Sequence, residues 1–134
     1  MDPVLSKLLA ALREALPECL AIYRFGSWGT ADQRPDSDID LAVLPGAPLP
    51  PVQRWELAQK LAVIAGRDVD LIDLLAASTV LCLQVVAHGT RLYCPDEAEV
   101  EKFEDTVFAG YARLNEERRD ILDDIRHRGN VHGP

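Results

Sequence analysis

At 134 residues the chain has room for one domain with a real core, and not for two. Its 48% hydrophobic and 27% charged residues are the composition of an ordinary soluble globular protein. A net charge of -8 argues against a binder of duplex DNA or RNA, which needs clustered Lys and Arg, and suits a basic protein partner or a metal-bound nucleotide.

Asp2 and Pro3 form a helix start, with Asp as N-cap and Pro at the first helical position. Val4, Leu5, Leu8, Leu9, Leu12 and Leu16 follow at helical spacing until Pro17. Residues 19–25 read as a first strand that breaks at Gly26 and Ser27. Gly29 and Thr30 follow, small residues that let the backbone come close to a ligand. Residues 33–37 are a loop, 39–44 a second strand, and the proline-rich 45–51 another loop. From Val52, the residues Trp55, Leu57, Ala58, Leu61, Ala62, Ile64 and Ala65 predict an amphipathic helix closed by Gly66.

Residues 67–74 are a third strand. Ser78 caps a helix through Leu81, Leu83, Val85 and Val86 to His88 and Gly89, and residues 91–94 make a short fourth strand. From Asp96 to about Arg128 a single helical stripe runs through Val100, Phe103, Val107, Tyr111, Leu114, Ile121 and Ile125, with Gly129 and Asn130 expected to stop it. Strands alternating with helices predict one α/β domain over residues 1–134, a mixed sheet of about four strands flanked by helices, with a long C-terminal helix. That helix is longer than so small a sheet can cover, so part of it is expected to reach another chain.

Cys19, Cys82 and Cys94 are widely spaced and lack a C-x-x-C pattern. They are expected to be reduced core residues, not a zinc site or a disulfide framework. The first residues lack the regions of a signal peptide and no apolar run is long enough to span a bilayer, so a cytoplasmic location is expected.

The chemistry concentrates between Gly26 and Asp40. Ten residues separate the Gly26–Ser27 pair from Asp38-Ile39-Asp40, which opens the second strand. Residues two apart in a strand share a face, so Asp38 and Asp40 present both carboxylates together, a hard-oxygen set suited to magnesium and a nucleoside triphosphate. The Gly–Ser turn offers backbone N–H groups and the Ser27 hydroxyl to anionic oxygens. A two-metal displacement wants a further carboxylate. Asp70, central in an apolar strand, is the best candidate, although periodicity alone leaves Asp68, Asp70 and Asp73 open.

Other polar residues have plainer readings. Ser37 suits a turn, Asp73 a strand end or cap, and Asp68 a solvent-facing start of the strand. Arg24, Arg34 and Arg67 suit salt bridges as well as phosphate contacts. His88 favours the dipole at a helix end, His127 and His132 lie in the tail, and Trp28 is expected to pack under the turn.

Gly26–Ser27, the ten-residue spacing and Asp38-Ile39-Asp40 resemble the signature of the DNA polymerase β-like nucleotidyltransferase superfamily. The single-domain length resembles its minimal nucleotidyltransferase branch, and residues 69–73 match the strand on which that branch carries its third carboxylate, which assigns the role to Asp70. Within the branch the chain looks most like MntA-type antitoxins, which are paired with HEPN-domain ribonuclease toxins. The resemblance implies a type VII-like toxin–antitoxin system in which AMP passes from ATP to a tyrosine hydroxyl of the toxin and silences it.

On that reading Asp38 and Asp40 bind two magnesium ions. Asp70 helps to bind the second ion and favours deprotonation of the acceptor, while Gly26 and Ser27 hold the triphosphate. Oligomers would form through the toxin complex. Two alternatives stand beside it: a nucleotidyltransferase of a small hydroxyl compound of the aminoglycoside type, and an antitoxin that acts by binding alone. The acidic charge and the lack of a nucleic-acid-binding module disfavour a polymerase or tRNA-tailing role.

Overall fold

A computed structural model describes residues 2–26 and 38–131, with side chains through residue 126. Four helices and four strands run in the order α1 (Pro3–Ala15), β1 (Ala21–Phe25), β2 (Ile39–Leu44), α2 (Pro51–Ala65), β3 (Val69–Asp73), α3 (Thr79–His88), β4 (Thr90–Tyr93) and α4 (Glu97–Val131). The strands form one mixed sheet in the order β3-β2-β1-β4, with β2 and β3 parallel and the other two pairings antiparallel. The expected α/β architecture is therefore present. No described helix is long and apolar enough to cross a membrane.

Local chemistry explains where the helices begin and end. Asp2 accepts a hydrogen bond from the Val4 N–H at 2.8 Å, Ser78 accepts one from the Leu81 N–H at 3.2 Å, and Asp96 accepts one from the Glu99 N–H at 3.3 Å. Each occupies a donor that the helix leaves unpaired. Gly66 closes α2 in the left-handed region, at φ +69°. The exception is the end of α4, which continues through Gly129 and Asn130 to Val131, where a stop was expected. Glycine weakens a helix by about 1 kcal/mol, which is too little to terminate one by itself.

Strand alternation gives the sheet two apolar faces. Ile22, Ile39, Leu41, Val43 and Leu71 point towards α1 and α2, where Leu5, Leu8, Leu12, Leu57 and Leu61 complete one core. Ala21, Tyr23, Ala42 and Leu44 point the other way, against Cys82 and Val85 of α3 and Val100 and Val107 of α4. The three cysteines are free thiols, Cys19 and Cys82 buried and Cys94 partly so, as the sequence predicts. Burial pushes the Cys19 and Cys82 thiols up from their ordinary range, so they stay protonated and inert.

A polar clasp fastens α4 to the sheet. The buried Tyr23 hydroxyl donates to Glu104 at 2.8 Å, and Arg91 of β4 pairs with the same carboxylate. Burial and the adjacent carboxylate hold the Tyr23 phenol well above its usual pKa, so it remains a donor. Beyond Val107 α4 leaves the core, and Ile121, Leu122 and Ile125 are exposed. The expected overhang is present.

Asp73 is the one buried charged residue among those described, at 3% exposure. Its two oxygens accept from the Leu49 and Leu75 N–H groups at 2.8 and 2.9 Å, which ties the β2–α2 loop to the end of β3. This is the strand-end capping role read from the sequence. Asp73→Ala strands both donors, and should lower stability by about 2–4 kcal/mol in urea unfolding. Asp73→Asn, which keeps one acceptor, should lose less.

Candidate active site

The sheet register brings the motif together. Phe25, the last residue of β1, pairs with Asp40 of β2, and Asp40 pairs in parallel register with Asp70 of β3. Three adjacent strands therefore end at one edge of the sheet, with the turn at Gly26, Asp40 and Asp70 side by side. Neighbouring strands lie ~4.8 Å apart, so the two carboxylates are next-door neighbours on the same face. Asp38, two residues before Asp40, joins them at the mouth. Of the three carboxylates of β3 and its start, Asp70 is the one paired with Asp40, while Asp73 is buried on the opposite face.

Gly26 is fitted to this place. Its φ of +75° is in the left-handed region, and a Cβ built on it would stand 2.1 Å from Asp40 Oδ2. Only glycine lets the backbone leave β1 that close to the carboxylate. Ser27, Trp28, Arg34 and Ser37 lie outside the described residues, as does His132, and the His127 side chain is not described.

The electrostatics are those of a cation site. Asp40 is half-buried, and its pKa is raised, first by desolvation and then by the charges of Asp70 and Asp38. Asp38 and Asp70 are exposed. Among the described residues, no three His, Cys, Asp or Glu side chains close into a finished metal cage. Magnesium does not call for one, because it keeps waters and substrate phosphates and takes only one or two protein carboxylates. Three hard-oxygen donors crowded beside the bend at Gly26 fit that ion.

Two features escaped the sequence reading. Gln84 and His88, one turn apart on α3, line a cavity of ≈ 450 Å³ with Phe25 and Gly26. His88 thus borders the site as well as ending its helix, and the i, i+4 spacing was the available signal. Arg54 of α2 donates to the outward-facing Leu71 carbonyl at 3.1 Å, reaching over the edge strand beside Asp70. Nothing in the local sequence announces that contact.

A family model described as polymerase beta nucleotidyltransferase matches residues 7–98. The chain belongs to this family. It is 44% identical over 120 residues, 90% of this chain and 86% of the other, to the protein adenylyltransferase MntA of Shewanella oneidensis. Its fold is similar to that of a toxin–antitoxin crystal structure with AMP-PNP, with TM-score 0.81, 44% identity and coverage of 90% of this chain and 97% of the other. It is similar also to the MNT antitoxin in complex with tri-AMPylated Shewanella oneidensis HEPN toxin, with TM-score 0.77, 42% identity and coverage of 92% and 96%. The family resemblance read from Gly26 to Asp40 therefore extends over most of the chain.

Two substitutions test the geometry. Gly26→Ala should cost ~1–3 kcal/mol of stability from the left-handed backbone and displace Asp40, with activity lost beyond what stability explains. Asp40→Asn should raise the Tm of the metal-free protein at neutral pH. The folded state raises the pKa of Asp40, so wild-type stability falls as pH climbs through that raised value. The advantage of the Asn variant should therefore vanish as pH drops below the ordinary carboxylate range.

Proposed function

We propose that this chain is an antitoxin that transfers AMP from ATP to a tyrosine hydroxyl of a cognate HEPN-domain toxin and thereby neutralises it. The observation that carries the reading is the register that sets the end of β1 at Phe25, next to Gly26, beside Asp40, and Asp40 beside Asp70, on three adjacent strands. Relatives named for protein adenylylation and for complexes with a HEPN toxin support it. ATP as donor puts the reaction in the cytoplasm.

Asp38, Asp40 and Asp70 would hold two magnesium ions, which supply charge neutralisation on the phosphates and on the attacking and leaving oxygens. The Gly26 turn and the Ser27 hydroxyl hold the triphosphate. Asp70, exposed on the edge strand, stands on the acceptor side and favours departure of the hydroxyl proton. The phenolate oxygen bonds to the α-phosphorus, the bond from the α-phosphorus to the bridging oxygen breaks, and pyrophosphate leaves with that oxygen and its electron pair. The proton passes to solvent.

The exposure of Asp38 and Asp70 favours a large acceptor. Asp38→Asn with Asp40→Asn should reduce AMP addition to the toxin by at least roughly 10²–10³-fold, read by mass spectrometry of the toxin. Magnesium with a non-hydrolysable ATP analogue should raise the Tm of the wild type and leave that of the double variant unmoved. Neutralisation that survives the double substitution would establish the binding-only account. Labelling of small hydroxyl compounds in place of the toxin would establish the aminoglycoside-type one.

A further inference from the structure

The site has a nucleotide end at Gly26, just past β1, and an open end at Asp70, two strands away and roughly 10 Å across the sheet. An in-line displacement keeps the attacking and leaving oxygens on opposite sides of the phosphorus. With the triphosphate at Gly26, the acceptor therefore approaches from the β3 edge.

That edge is built unlike the rest of the surface. In a parallel ladder alternate residues turn both backbone groups to the neighbouring strand. The Ile39 N–H bonds the Asp68 carbonyl at 3.0 Å, so Asp68, Asp70 and Ile72 serve β2, while Val69 and Leu71 face outward. Arg54 covers the Leu71 carbonyl, and no described strand pairs with this side of β3.

Two hollows of ≈ 190 Å³ each meet at Arg54. One holds Trp55, Gln59 and Asp70, and the other continues past Ile72 to Ala77 and Leu81. Both are smaller than the roughly 300–1,000 Å³ of a small-molecule pocket, and each suits the side chains of a docked polypeptide. Trp55, which lines one hollow, is 63% exposed, and the exposed apolar residues Leu75 and Val80 adjoin in sequence Ala76 and Leu81, which line the other. The helical pattern of α2 predicted Trp55 on the buried face. It lies instead about 200° around the helix from Leu57, which with Leu61 defines that face.

We propose that the groove along β3, anchored by Trp55, is the docking surface for the acceptor protein, and that it delivers the acceptor hydroxyl to Asp70 from the side opposite Gly26. Trp55 is a positioning residue: its indole offers a large, rigid, amphipathic surface with little rotamer entropy to lose. This rests on the protein-acceptor reading above. The groove is continuous with Asp70 at the edge of the sheet, and that continuity names its occupant.

The test measures AMP transfer across toxin concentrations, and separately the binding of a non-hydrolysable ATP analogue, in the full-length protein. Trp55→Ala should raise the apparent KM for toxin ~10- to 30-fold with nucleotide affinity unchanged, and Trp55→Phe should recover most of the loss. Val80→Glu, next to Leu81 of the second hollow, should act in the same direction. Glu14→Ala, exposed on α1 beside β4 at the opposite edge of the sheet from β3, should change neither. An unchanged toxin KM in both Trp55→Ala and Val80→Glu overturns the docking surface while leaving the proposed function intact. A wild-type protein that binds the nucleotide but labels no toxin overturns both.

Discussion

The candidate site depends on how closely β1 can approach the Asp40 carboxylate as it leaves the sheet. Gly26 makes that approach in a left-handed conformation, with no space for a Cβ. A second glycine does the matching work from the other side. A Cβ on Gly89 would stand 2.4 Å from the Val85 carbonyl oxygen and 2.9 Å from that of Arg24, so α3 can end hard against β1 only because that residue is bare. The end of β1 is thus clamped between β2 and α3 through backbone contacts. This carries Gln84 and His88 to the rim of the site.

β3 shows how one strand can bear two carboxylates with opposite fates. Asp73 points into the α1 and α2 side and is satisfied there by two backbone N–H groups, so it serves the fold. Asp70, three residues earlier, points to the other face and adds its charge to that of Asp40. Crowding like charges opposes folding, and the sheet tolerates it because both of its faces carry an apolar core just inside the mouth. An arrangement that disfavours the free protein and is relieved by a bound cation is what a site for charged substrates requires.

Much of this was legible in the residues. The caps at Asp2, Ser78 and Gly66 and the apolar runs of β1, β2 and β3 are local signals, and each element lies within a residue or two of where they put it. Gly26, Asp38 and Asp40 stood out because their spacing is itself the motif. The choice of Asp70 over Asp68 and Asp73 needed more than alternation, since it rests on which strand pairs with which, a non-local fact that entered only through resemblance to the family. Trp55 was misplaced because α2 is rich in small alanines and its apolar stripe is broad. Gly129 and Asn130 are good helix terminators only where the chain turns away, and here α4 has nothing to turn towards.

The clasp at Tyr23, Arg91 and Glu104 has a further consequence for α4, whose 35 residues span about 52 Å. Val100 and Val107 lie in the core and Glu104 between them is tied to two strands, whereas Ile121, Leu122 and Ile125 are each more than half exposed. One unbroken helix therefore joins a segment that opens only when the whole fold opens to one that frays on its own. Amide hydrogens near Val100 should exchange at the rate of global unfolding, and those near Ile125 orders of magnitude faster. The molecule is a rigid head with a softening stem, and the gradient begins one turn past Val107.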